Sequence, residues 1–318
     1  MNSNLFIVIA VSSIYYGTPL LFSALGGVLT ERSGVLNLGV EGMMLLGAVC
    51  ASWTSSRVDG PAWMVLSLAL LAGIGAGMLG ALIHAFAVIT LRVNQTVSGL
   101  ALTILAGGAG LSSYLASVWD LRDPVKHQFA KLNVFGLKDV PILGPLLFNH
   151  TLLTYLSWVL VVVISWYLFR TRAGLELRAV GESPQTADAV GINVVRTRYI
   201  HTLLGGALAG IGGVCFSLSI VPTWQDGMTA GRGWIAIALV IFGFWRPDLT
   251  MVGAYVFGAF SSLSLTLQAR GVKVAPQLLD TLPYVMTIVV LVAVSGGWAK
   301  RHLGAPAALG IPYEREER

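Results

Sequence analysis

Charge is what this 318-residue chain has least of: Asp, Glu, Lys and Arg make up 11% of it. Soluble domains carry about 25%, and a chain this poor in charge cannot cover a water-facing surface. Only two cysteines occur, Cys50 and Cys215, each inside an apolar run. Small buried packing residues are a better reading of them than a disulfide. No GxxxxGK[ST] is present, so the chain has no ATP-hydrolysing phosphate loop of its own. Neither HExxH nor CxxC occurs, and with no pair of acid–base or nucleophilic residues the sequence offers nothing for catalysis. The first residues lack a basic stretch, and their apolar run exceeds a signal-peptide core, so they read as a retained first helix.

What is present is apolar. The hydrophobic share is 55%, the mean hydropathy +0.77, and glycine is abundant at 37 residues. The composition predicts an all-α polytopic membrane protein, a single transmembrane domain over 1–318. Glycine suits such a protein because it lets helix backbones approach closely. The net charge of +5 is no sign of nucleic acid, because the basic residues lie in loops between apolar runs.

The runs predict about nine spans, at 5–28, 36–53, 63–91, 97–118, 151–169, 201–220, 234–245, 251–267 and 281–298. The third is long enough to tilt or break, and 234–245 is too short to cross alone. The segment 169–201 carries Arg170, Arg172, Arg178, Arg196 and Arg198, which puts it in the cytoplasm. Nine spans then place the N-terminus and the long 119–150 loop outside and the C-terminus inside.

Two regions share a layout: "LLFSALGGVLTERSGVLNLGVEGMMLLGA" and "ALAGIGGVCFSLSIVPTWQDGMTAGRGWIAIALVIFG". Each is a Gly-rich helix, a polar break and a second apolar helix, and the two breaks face opposite sides. That is an inverted-topology repeat, which sets a pathway at the interface of the halves. "NQTVSGLALTILA" and "PQLLDTLPYVMTIVVL" close the halves.

In the first break, Gly34, Gly39 and Gly42 punctuate a helix. Glu41 falls in the first turn of the next helix, where the dipole favours a carboxylate, and Asn37 is placed to bond freed backbone. Either the two border the translocation path, or they only cap and stitch the break. Asn94 and Gln95, which open "NQTVSGLALTILA", are placed along the same path, as are Asp226 and Arg232 at the second break. Tryptophans there are most simply interfacial. Glu31 and Arg32 read as an interfacial pair. His84, alone in an apolar run, suits packing or hydrogen bonding better than proton relay, and "GIGAGMLG" at 73–80 reads as a helix-packing face.

The cytoplasmic stretch "GLELRAVGESPQTADAVGIN" holds a Ser183 cap, Pro184 at the first helical position and a stop at Gly191. A short capped helix on a basic loop suits docking better than mere connection.

Together, "ERSGVLNLGVEGMMLLGA", "NQTVSGLALTILA", "GLELRAVGESPQTADAVGIN", "GRGWIAIALVIFG" and "APAALGIPYEREER" resemble the permease subunits of bacterial nucleoside and simple-sugar ABC importers. These belong to the larger group of ribose and branched-chain amino-acid permeases, and the likeness covers nearly the whole chain. It implies a multi-pass protein of the bacterial cytoplasmic membrane that imports nucleosides, or otherwise a sugar such as ribose or branched-chain amino acids. It implies a second permease subunit, different or identical, and an external binding protein or lipoprotein. A separate ATPase subunit carries ATP and Mg, with no cofactor in this chain. In that family the segment with Arg178, Gly181, Glu182, Ser183, Pro184, Ala187 and Gly191 is a coupling helix seated in an ATPase groove, Ala187 being small enough to pack there. Ribose-type permeases have one further N-terminal helix that this chain lacks. An ion-coupled secondary transporter is the rival, but only Glu41 and His84 offer mid-span ionisable groups for it.

Overall fold

The computed structural model describes residues 3–107, 110–269 and 304–315, and positions 281, 284, 285, 288, 289 and 292. The described chain is mostly helical. Its helices are α1 (Ser3–Arg32), α2 (Val40–Arg57), α3 (Ala62–Ala85), α4 (Gln95–Ala106), α5 (Leu111–Val118), α6 (Leu152–Arg170), α7 (Arg172–Glu182), α8 (Pro184–Ala189), α9 (Val194–Cys215), α10 (Arg232–Phe242) and α11 (Pro247–Ala269). A π-helical turn extends α3 over Phe86–Thr90 and another extends α9 over Phe216–Ile220.

Six described helical segments are long and apolar enough to cross a membrane: Ile7–Arg32, Ala62–Thr90, Gln95–Val118, Leu152–Arg170, Val194–Ile220 and Pro247–Gln268. This differs from the expected nine for identifiable reasons. The run 36–53 begins in the break and continues as α2, which is 18 residues long but not apolar enough. The run 234–245 forms α10, only 11 residues long. Most of 281–298 lies outside the described residues. Within 97–118 the chain opens at Gly107 and Gly110, separating α4 from α5. The long 63–91 run is continuous, with the π turn at its end.

The bundle centres on α9, which packs closely on α1, α2 and α3, while α1 also packs on α11. Glycines make the tightest of these contacts, several of them against another glycine. A Cβ on Gly26 of α1 would lie 2.5 Å from the Gly205 carbonyl of α9. Gly73 and Gly77 of α3 meet Gly210 and Gly206 in the same way, so the 73–80 stretch is the packing face its sequence suggested. Gly42 is also a packing residue, pressed on the Leu102 carbonyl; the break covers 33–39 and ends before it.

The two ends of the bundle differ. At one, Ser55 donates to the His127 carbonyl (2.7 Å), Lys126 pairs with Asp59 (2.7 Å), and the Val125 amide bonds the Pro222 carbonyl (3.0 Å). The 119–150 loop thus folds over this end. It carries a short antiparallel ribbon, β1 (Lys131–Asn133) with β2 (Asn149–Thr151), Leu132 opposite His150, so the fold is not wholly helical. His150 is buried, its Nε2 donating to the Leu146 carbonyl at 2.8 Å. Burial lowers its pKa, the Leu146 bond raises it in part, and Lys131 lowers it further.

At the opposite end the 304–315 tail ties elements together. Arg32 donates to the Gly304 carbonyl (3.2 Å), Ala308 N to Gly181 O (2.9 Å), Gly310 N to Gly34 O (3.2 Å), and Arg198 to Ile311 O (3.2 Å). Glu314 pairs with Arg92 (2.7 Å) and Arg315 with Asp188 (3.3 Å).

Candidate functional site: two chain breaks joined at Glu41

The break at 33–39 is held from α3 and α4. His84, fully buried on α3, donates from Nε2 to the Leu36 carbonyl (3.0 Å), and its Nδ1 meets the Ser98 hydroxyl (3.0 Å). Gln95 Oε1 accepts the Leu36 amide (2.6 Å), and Thr103 donates to the Leu38 carbonyl (3.0 Å). Asn37 Oδ1 accepts the Gly39 amide (2.9 Å). Backbone polar groups released inside a membrane must be satisfied by the protein itself. Here α3 and α4 supply the partners.

Glu41 does something else. Its Oε1 accepts from the Thr229 hydroxyl (2.6 Å) and the Gly231 amide (2.7 Å), and its Oε2 accepts from the Gly233 amide (2.6 Å). The carboxylate is buried and caps the first turn of α10, 190 residues away in sequence. Glu41 stands in the first turn of α2, as its sequence position predicts, but spends its oxygens on the free amides at the start of α10. The chain leads into α10 through Gly231 at φ +79, a left-handed conformation that glycine adopts without penalty. Gly233 must also be glycine, since a Cβ there would stand 2.5 Å from both Cα and N of Glu41.

The depth of this junction follows from packing. Gly212 and Gly213 of α9 touch Ser23 of α1 and Met44 of α2, so these two are level. At about 1.5 Å per helical residue, Met44 lies roughly 14 Å, and Glu41 roughly 9 Å, inside the level of Arg32. Beside it opens a cleft of about 620 Å³ lined by Glu41, Thr103, Ile104, Gly107, Gly231 and Trp234 among others.

Of the residues expected along a path, only Glu41 lines this cleft. Asn37 and Gln95 stitch the break, and Asn94 caps α4 by accepting the Val97 amide (3.1 Å). Asp226 accepts from Trp224 Nε1 (3.1 Å), and Arg232 lies 4.9 Å over the Phe216 ring while donating to the Thr229 carbonyl (3.2 Å). Glu31 and Arg32 are not a pair. Glu31 accepts from Trp245 Nε1 (2.7 Å), and Arg32 donates to the Trp245 and Phe244 carbonyls (3.2 and 3.4 Å). Together they fix the left-handed turn at Phe244 and Trp245, φ +53 each, that ends α10.

The Ser183 cap is present: its hydroxyl accepts the Thr186 amide (3.4 Å), Pro184 opens α8, and Gly191 turns the chain at φ +88. Before it stands α7, a helix where the sequence predicts loop. Ala187, expected to pack in a partner's groove, is buried in its own chain with Val180 and Val194, as is Pro184. Gly181 presses on the Arg32 carbonyl. Glu182, Gln185, Thr186, Val190 and Gly191 face outward, and Arg178 lies 5.4 Å over the Phe169 ring.

Residues 9–291 match the family described as the branched-chain amino acid transport system permease component. Among similar proteins, the putative glucose ABC transporter permease protein TsgC13 of Haloferax volcanii is 37% identical, with 96% of this chain and 97% of that protein aligned. The guanosine ABC transporter permease protein NupQ of Bacillus subtilis is 37% identical over 98% of both chains. The nucleoside ABC transporter permease protein NupC of Lactococcus lactis is 36% identical over 96% of both. No solved structure gives a significant match. A mostly helical chain whose described residues include six apolar segments long enough to cross a membrane, with near-full-length likeness to transporter permeases, therefore belongs to the family of branched-chain amino acid transport system permease components.

Proposed function

We propose that this chain is the membrane permease of an ATP-driven nucleoside importer. The observation that carries the pathway reading is the junction at Glu41. Two chain breaks, one from each half of the proposed inverted repeat, meet well inside the bundle beside an open cleft. Non-helical backbone at that depth is tolerated where it lines a cavity. For the substrate, the support is that two close relatives are described as nucleoside and guanosine permeases.

On this reading the chain crosses nine times, with α2, α10 and the 281–298 run completing the set. The N-terminus and the 119–150 loop are outside, and α7, α8 and the tail are inside. The energy comes from a separate ATPase subunit. It docks on the outward side of α8 around Gln185, Thr186 and Val190, while Ala187 fastens α8 to the permease so that motion is passed on and not absorbed. A second permease subunit closes the pathway and an external binding protein delivers the solute. A sugar cargo is the second reading, favoured by the glucose relative. Uptake of labelled adenosine, guanosine, glucose, ribose and leucine by vesicles holding the assembled complex decides between them. ATP-dependent nucleoside uptake with no sugar or leucine uptake is expected, and glucose uptake alone refutes the nucleoside reading.

A further inference from the structure

We propose that Trp234 is the residue of the cleft that recognises the cargo, its indole face stacking on the planar base of a nucleoside in transit. This rests on the nucleoside reading and names the group that makes the selection.

The residues on both sides of Trp234 in α10 are buried: Gly233, Ile235, Ala236 and Ile237. Trp234 itself is 49% exposed and lines the 620 Å³ cleft. A tryptophan half in the open inside a membrane protein usually sits at the headgroup level. This one does not. Gly233 lies against Glu41, which places the ring near the Glu41 level, away from the Arg32 end. Its mounting is rigid, because the amides of Gly231 and Gly233 are both held by the Glu41 carboxylate at 2.6–2.7 Å. A backbone anchored in this way loses little freedom when a ligand settles on the ring it carries.

The rest of the cleft favours a flat, largely apolar group. Gly107, Gly110, Gly227 and Gly231 leave space, and Leu45 and Ile104 add apolar surface. Among the described lining residues, the Thr103 and Glu41 side chains are already engaged: Thr103 donates to Leu38, and both Glu41 oxygens accept from the α10 side. A free sugar entering this space would give up water for several hydroxyls and find few free partners, which is costly. A base gains the aromatic face instead, by the stacking that binds bases of any sequence in other proteins.

The test uses the assembled importer in vesicles, with Trp234→Phe keeping an aromatic face and Trp234→Leu keeping only apolar bulk. At equal amounts of assembled complex, Trp234→Phe is expected to retain adenosine uptake within about twofold and Trp234→Leu to lose about fivefold or more. Photolabelling of the unaltered complex with 8-azidoadenosine is expected to mark residues 227–245, a readout independent of whether the variants assemble. Equal uptake by the two variants, or a label confined to other segments, overturns the stacking role while leaving nucleoside transport intact. If the unaltered complex carries glucose and not adenosine, the nucleoside reading falls, and the stacking role with it.

Discussion

Glu41 holds two pieces of chain together with one carboxylate, so its replacement has a calculable effect. In Glu41→Gln one oxygen becomes an NH2 group that meets a donor, either the Gly233 amide or the Thr229–Gly231 pair. Bonds to a charged group contribute about 1.5–3 kcal/mol each, so losing one and leaving a buried amide unpaired costs about 2–4 kcal/mol. Thermal unfolding of the purified permease in detergent should shift down by several degrees, and uptake should fall; an unchanged midpoint would mean the carboxylate does not carry the α10 cap. Gly233→Ala tests the same junction by steric means. Its Cβ would meet Glu41 backbone at 2.5 Å, which cannot swing aside, and overpacking costs about 1–3 kcal/mol or more. Gly75→Ala is the control, since nothing lies within 4 Å of a Cβ there. It should be neutral or raise stability by about 0.5–1 kcal/mol, and equal yields of the two variants in membranes would refute the close packing.

The apolar runs located most helices well: the run 151–169 became Leu152–Arg170, and the Ser183–Pro184 start of α8 stands where cap chemistry put it. What the sequence hid has physical reasons. Arg172, Glu176, Arg178 and Glu182 break up any apolar run in α7, so a hydropathy reading sees only loop. The partner of Glu41 is backbone amide far along the chain, and amides carry no sequence signal. The β1–β2 ribbon is six residues in all and was equally silent. Its buried His150 makes this element acid-sensitive. Its folded pKa lies below the ordinary value of 6.5, through burial first. The neutral ring's contribution is therefore complete above about pH 6.5 and is lost as pH falls toward the folded value, where the unfolded chain takes up the proton more readily. Cleavage after Lys131 or Lys138 by a protease tolerant of both conditions should be faster at pH 5.5 than at pH 7.5 once corrected for protease activity. In His150→Phe that difference should disappear, and its persistence would place the acid sensitivity elsewhere.

For the whole molecule, the proposed orientation predicts opposite labelling at the two ends. In a background lacking Cys50 and Cys215, a cysteine replacing Lys131 should react with an impermeant thiol reagent in intact cells, and one replacing Gln185 should not. The reverse pattern would invert the molecule and remove α8 from the ATPase side. The tail makes a second prediction. Removing 304–315 strips carbonyl partners from Arg32 and Arg198 and unties Gly34 from Gly181. Unpaired buried groups of this kind cost about 1–3 kcal/mol each or more, so recovery of the ATPase with the permease should fall sharply. Arg315→Ala alone, losing one exposed ion pair with Asp188, should change it little, by under about 1 kcal/mol. Normal recovery after the deletion would mean the tail is ornamental to docking. The same strap bears on biosynthesis. Residues 304–315 leave the ribosome after every element they join, so the Arg32 end of the bundle stays open throughout translation. Until they arrive, two guanidinium groups, 9% and 2% exposed in the finished fold, lack part of their bonding. Local opening is what cellular proteases sample. A chain cut short before residue 304 would therefore carry a visible mark of incompleteness at the end proposed to receive the ATPase.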